Sequence, residues 1–219
     1  MNALPGTVRL LVVRGEGPAF SAGLDRAVFT AVGTDEAPGL AGLAQGSQAA
    51  ALHAISGFQE AFALAARADL VSIALVQGFA IGAGFQLALG CDIRIAADDA
   101  QFSMAEVTLG LVPDLGGTKR LVELVGYSRA VSICLTGRRV SAAEADKLGL
   151  VSAVVPVDEL AAAGDLFANQ ILALPRDAVT ETKALLLAAS GRSQAEQEEA
   201  EREAQYRRLR ALAGLDAED

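Results

Sequence analysis

The chain is poor in the residues that build metal and disulfide sites. It has no tryptophan, a single histidine and two cysteines among 219 residues. One histidine and two distant cysteines cannot supply the ligands of an ordinary zinc centre. Cys91 and Cys134 sit in apolar contexts and make no disulfide framework, which points to a reducing compartment. A basic surplus is also missing. Lys and Arg number 18 against 27 Asp and Glu, for a net charge of -9, and both nucleic-acid backbones and acidic membrane surfaces need the opposite sign. The N-terminus lacks a charged segment followed by a long apolar run, so no secretory leader is read and the expected location is cytoplasmic. Charge is absent from 70–91, a stretch long enough to cross a bilayer. Gly78, Gly82, Gly84 and Gly90 interrupt it, Gln77 and Gln86 lie within it, and Arg67, Asp69, Asp92 and Arg94 flank it without bias. It reads as a buried strand, turn and helix, with no membrane partner.

Familiar signatures fail as well. Gly82-x-Gly84 is followed by Leu87 where a dinucleotide fingerprint needs a third small residue. Gly116-Gly117-Thr118-Lys119 lacks the leading glycine of a phosphate loop. No G-x-S-x-G occurs, which excludes the nucleophile elbow of α/β-hydrolases.

What is present is a compact, apolar chain, 52% hydrophobic, organised around 71–118. Val71–Val76 is short and rich in branched residues, as in a buried strand. A glycine-punctuated turn spans Gly78 to Gly84, a short buried helix ends at Gly90, and Ile93–Ala97 is a second strand. Two carboxylates follow, Glu106 among apolar neighbours and Asp114 in a Pro-Asp turn. Before this stretch, Val8–Arg14 reads as a strand and 15–25 as a loop, while 29–48 is weakly patterned and reads as a mobile loop. Gln48–Ala66 has helical spacing, with Leu52, Ile55, Phe58, Phe62 and Ala66 on one stripe and the lone His53 beside it as a surface or packing residue. After it come helices over Gly116–Gly126 and Tyr127–Leu135, and a third opened by a Ser141/Glu144 capping box and closed by Gly149. A strand over Leu150–Val155 leads to helices over Val157–Leu174 and Ala178–Ala189. A last, charge-rich helix begins at a Ser193/Glu196 capping box, with Glu198/Arg202 and Glu203/Arg207 spaced for ion pairs. Strands alternating with helices and then helices alone argue an α/β layered core with a helical C-terminal part.

Three ordered blocks, AFSAGLD (19–25), VQGFAIGAGFQLALGCDIRIAADDAQFSMAEVTLGLVPDLGGTKRL (76–121) and LTGRRVSAAEADKLGLVSAVVP (135–156), resemble the enoyl-CoA hydratase/isomerase, or crotonase, family. The similarity runs from Val8 to about Leu187. It implies a spiral of ββα units over 1–156 and a helical trimerisation region over 157–219, in a homotrimer or dimer of trimers. It implies an acyl-CoA thioester as substrate, with coenzyme A present only as part of that substrate and no metal or redox cofactor. By the same resemblance the N–H groups of Ala22 and Ala83 bind the thioester oxygen. Glu106 moves the proton, and Asp114 matches the catalytic aspartate of some family isomerases. Phe20, Gly23, Leu24, Asp25, Gly82, Gly84, Gln86 and Leu109 line the substrate.

The chemistry is consistent with those roles. Removing a proton beside a thioester places charge on oxygen, and fixed N–H donors aimed there stabilise it. The bland alternatives are turn glycines, a structural Glu106, and an Asp114 that caps the following helix. The chain departs from the family's hydratases where Gln86 stands for one of two glutamates. Glutamine exchanges no proton near neutral pH, so one-acid isomerisation is expected over hydration. The family's first strand pair and helix are expected to be missing, leaving Val8–Arg14 as a sheet edge, and its last helix is expected to be shortened, weakening the hold on the nucleotide. The rival from another class is a non-catalytic subunit with only a folding or assembly role.

Overall fold

A computed structural model describes residues 4–25 and 39–215. Its centre is a four-stranded sheet of β1 (Leu10–Arg14), β2 (Val71–Val76), β4 (Ile93–Ala97) and β7 (Ala153–Val155), in that spatial order and parallel throughout. A smaller sheet holds β3 (Phe79–Ile81), β5 (Gln101–Ser103) and β6 (Val140–Ser141), with β3 and β5 parallel and β6 antiparallel to β5. The chain visits the sheets by turns: β2 then β3, β4 then β5, β6 then β7. Each passage advances one step, which makes the spiral. All six residues of β2 are buried, as expected for a parallel strand covered on both faces. Among the described residues β1 pairs with β2 alone and so forms one edge of the larger sheet.

Helix α3 (Ala83–Gly90) follows β3, and α4 (Gly117–Val125) and α5 (Tyr127–Thr136) follow the acid-bearing loop. The main core lies between these helices and the sheets, around Val76, Phe85, Leu89, Phe102, Leu121 and Ile133. Phe85 and Phe102 meet ring to ring at 5.4 Å, tilted by 53°. Helix α6 (Ala142–Lys147) leads into β7. Three helices end the described chain: α7 (Leu160–Leu172), α8 (Arg176–Ala189) and α9 (Gln194–Leu212). Leu160 of α7 joins a second core with Ile73, Leu75, Ile95 and Ala97. A buried ion pair ties α8 down. Lys183 Nζ lies 2.8 Å from Asp92 and also donates to the Leu70 carbonyl. Asp92 in turn accepts from the Ser72 amide and hydroxyl, both at 2.7 Å.

Several expectations need correction. The helix predicted to reach Ala66 is α2 (Gln48–Phe62), followed by a separate 3₁₀ turn at Leu64–Ala66. On its apolar stripe Leu52 and Phe58 are exposed, while Ile55 and Phe62 are half-buried. Part of the predicted mobile loop is a helix, α1 (Leu40–Gln45), while 26–38 lies outside the described residues. The Gly78–Gly84 turn contains β3, and β5 and β6 were not foreseen. Two or three residues carry no periodicity, and such strands exist only through their partners. The Ser141 box closes halfway: Ser141 caps Glu144 N, but the Glu144 carboxylate grips Arg138 at 2.7 and 2.9 Å. The Ser193/Glu196 box is complete. Arg207 turns from its predicted partner Glu203 to Glu181 of α8, at 2.7 and 2.9 Å.

Candidate active site

The loop after β1 becomes part of the smaller sheet. Phe20 N donates to Gln77 O, Ser21 N to Phe79 O, and Ile81 N returns a bond to Ser21 O, at 2.8, 2.8 and 3.0 Å. These bonds lay 20–22 alongside β3 and bring Ala22 to the start of α3. Two glycines permit the approach. Gly23 has φ +93°, and a Cβ there would fall 2.6 Å from Ile81 O. Gly82 has φ +54° and starts α3, whose first internal bond runs from Gln86 N to Gly82 O at 2.9 Å. The Ala83 N–H therefore belongs to the first turn, where no intrahelical acceptor exists, and the helix dipole adds partial positive charge. That is a donor suited to a developing anion.

Glu106 stands over the same turn. A Cβ on Gly82 would be 3.4 Å from Glu106 Oε1. Glu106 opens the 3₁₀ turn Glu106–Leu109. Desolvation by burial raises its pKa most, its own nearby backbone amide and the hydrogen bond from Gln86 lower it, and the charge of Asp114 raises it. Its Oε1 accepts from Gln86 Nε2 at 2.7 Å. Its Oε2 is buried without a hydrogen-bond partner among the described residues. An orphaned acceptor of this kind is costly unless another molecule satisfies it.

The other predicted residues are placed as follows. Phe20 is buried under the loop, and Leu24 and Asp25 are exposed beyond it. Gly84 packs against Ser21. Leu109 is exposed at the end of the 3₁₀ turn. Asp114 does not cap α4, whose N-cap is Gly116 with no side-chain bond. Its carbonyl accepts from Gln59 of α2 at 2.7 Å. Gln86, expected beside the substrate, is 1% exposed and engages protein groups. Besides Glu106 it binds Leu115 N and Gly117 N through Oε1, at 2.9 and 3.3 Å. His53 is exposed on α2. Sequence reasoning missed Ser21, whose hydroxyl accepts from Gly23 N at 3.2 Å, and Gly117, whose Cβ would lie 2.8 Å from Gln86 Cγ. The Gly116-Gly117 pair was visible, but only the fold reveals what it must admit. No group of three or more His, Cys, Asp or Glu that could hold a metal occurs among the described residues.

The family model described as enoyl-CoA hydratase/isomerase matches residues 5–212. The chain belongs to that family. Crotonyl-CoA hydratase of Syntrophomonas wolfei is 37% identical over 178 residues, covering 81% of this chain and 63% of the relative. Short-chain-enoyl-CoA hydratase of Clostridioides difficile is 52% identical over 90 residues, covering 41% of this chain and 57% of the relative. For a Mycobacterium bovis relative the matched share of its length is 35%, so the chain spans less than two thirds of these curated relatives. A candidate enoyl-CoA hydratase from Thermobifida fusca, solved in complex with CoA, superposes with a TM-score of 0.90 at 50% identity. That likeness covers 97% of this chain and 80% of the other. The crotonase fold is thus shown directly. No helix among the described residues is long and apolar enough to cross a membrane.

Proposed function

We propose that this crotonase-family chain acts on an acyl-CoA thioester by enolate chemistry, with Glu106 as proton shuttle and the N–H groups of Ala22 and Ala83 holding the thioester oxygen. The observation that carries the proposal is Glu106 Oε2, buried beside the first turn of α3 without a partner among the described residues. A 3-enoyl thioester would lose a proton from C2 to Oε2, and the charge would move onto the thioester oxygen. Return of the proton to C4 would leave the double bond between C2 and C3. One acid suffices, and Gln86 supplies no second one. Asp114 is an auxiliary or alternative acid. Isomerisation is accordingly favoured over hydration.

Hydration is the second reading, favoured by the names of the Syntrophomonas and Clostridioides relatives. It would need Asp114 or an ordered water to do what a second glutamate does. Turnover of a panel of 2-enoyl and 3-enoyl thioesters separates the two. Faster conversion of 3-enoyl to 2-enoyl substrate supports isomerisation, and hydration without isomerisation removes it. A non-catalytic subunit would bind no acyl-CoA by calorimetry.

The same proposal includes assembly as a homotrimer or dimer of trimers through the helices after Val157. Leu166 and Leu186 on those helices are exposed large apolar side chains, as an interface requires. The unpaired Cys91 and Cys134 suit a reducing cytoplasm.

A further inference from the structure

We propose that Gln86 is the positioning residue of the site: it orients the Glu106 carboxylate so that Oε2 carries the proton, and it links that orientation to the loop that leads into α4. This rests on Glu106 being the proton shuttle.

Gln86 is buried, and its two amide atoms do different work. Nε2 donates to Glu106 Oε1 at 2.7 Å, which leaves Oε2 as the oxygen without a partner among the described residues. Oε1 accepts from Leu115 N at 2.9 Å and from Gly117 N at 3.3 Å. Only an uncharged amide can donate to a carboxylate on one side and accept two backbone N–H groups on the other at every pH of interest. Gly117 shows how closely the contact is fitted, since a Cβ there would lie 2.8 Å from Gln86 Cγ and 3.1 Å from its Oε1. A one-acid reaction makes one oxygen both take and return the proton, so a freely rotating carboxylate would divide its population between two oxygens. Holding Oε1 removes that division. Fixed geometry of this kind matters strongly to rate, since misplacement by about 1 Å can cost on the order of 10²-fold.

The donor also favours the charged form of Glu106, against burial and the charge of Asp114. Among the described residues, Cys134 of α5 also interacts with Glu106. Loss of the amide donor therefore moves the Glu106 titration upward in pH. A glutamic acid at position 86 would mimic the amide only while it keeps a proton, because two carboxylates at this distance share one.

The test compares wild type with Gln86→Met and Gln86→Glu, each shown to be folded by circular dichroism. Two readouts are taken: turnover against pH, and the Glu106 titration followed by NMR of carboxyl-labelled glutamate, which needs no substrate. Gln86→Met should lower kcat roughly 10- to 100-fold with little change in KM, and should shift both the alkaline-going rise in activity and the NMR titration to higher pH. Gln86→Glu should turn the plateau of wild type into a bell, active where the pair holds one proton and falling when it holds none. A Glu106 titration unmoved in Gln86→Met, or a wild-type plateau in Gln86→Glu, overturns the proposal. If Gln86→Met does not fold, the Gln86→Glu profile and titration decide. If wild type turns over no thioester, the proposed function fails, while the NMR titration still tests the Gln86–Glu106 coupling.

Discussion

Gly84 and Ser21 touch so closely that a Cβ on Gly84 would lie 2.6 Å from the Ser21 Cβ and 2.7 Å from its carbonyl oxygen. The first turn of α3 and the loop carrying Ala22 can approach only because one of them lacks a side chain. Gly84→Ala should therefore force the two apart. Overpacking of this sort typically costs about 1–3 kcal/mol, to be read as a lower midpoint in urea unfolding. Activity should fall further than stability, because the displaced element carries a proposed oxyanion donor. A variant with wild-type midpoint and turnover would show that the contact relaxes without moving the site.

The donors themselves act through backbone. Ala22→Ser should be mild, since Ala22 is exposed. Ala22→Pro deletes the N–H and should lower kcat by roughly 10²–10³-fold, the effect of a lost oxyanion donor. Near wild-type turnover by a folded Ala22→Pro protein would remove the loop from the mechanism.

Glu106→Gln should abolish most proton transfer, by the roughly 10²–10⁴-fold typical of a lost acid–base group. If Glu106→Gln stays active and Asp114→Asn is dead, the acid is Asp114. The same substitution has a consequence for stability. Burial holds the Glu106 pKa above its ordinary value, so the unfolded chain releases this proton more readily than the native one. Stability is then full below the ordinary carboxylate value and falls as pH rises through the raised one. Glu106→Gln should accordingly have a higher Tm than wild type at pH 7, with the difference shrinking toward pH 4. Equal Tm values at both pH values would mean that the carboxylate is better solvated than its surroundings imply.

The buried pair of Asp92 and Lys183 anchors the C-terminal helices. Lys183→Met leaves Asp92 with its Ser72 hydrogen bonds but without its cation and should destabilise by about 3–5 kcal/mol, measured by denaturant unfolding. Adding Asp92→Asn should recover part of that loss. Loss of less than about 1 kcal/mol for the single variant would show that water reaches Asp92.

Light scattering at micromolar concentration checks the assembly. A trimer or hexamer is expected, and a monomer would exclude contacts through the helices after Val157.

Much of this protein was legible along the chain. The buried β2, the glycine turn into α3, the acid-bearing loop and the complete Ser193/Glu196 cap all follow from local rules: branched runs, glycine φ, and side chains that bond backbone within one turn. The three blocks at 19–25, 76–121 and 135–156 were sufficient to indicate the family. Local rules could not reach what depends on distant partners. The second sheet is built from strands of three residues or fewer, each existing only because another lies beside it. The α2 stripe was legible as a helical face, but only the packing decides that Leu52 and Phe58 on it are exposed while Ile55 and Phe62 are half-buried. Most of all, the sequence identified Gln86 by what it is not, a second acid. Its role depends on Glu106, Leu115 and Gly117 converging on one buried amide, and a hydrogen bond spanning 20 or 31 residues is a property of the folded arrangement alone.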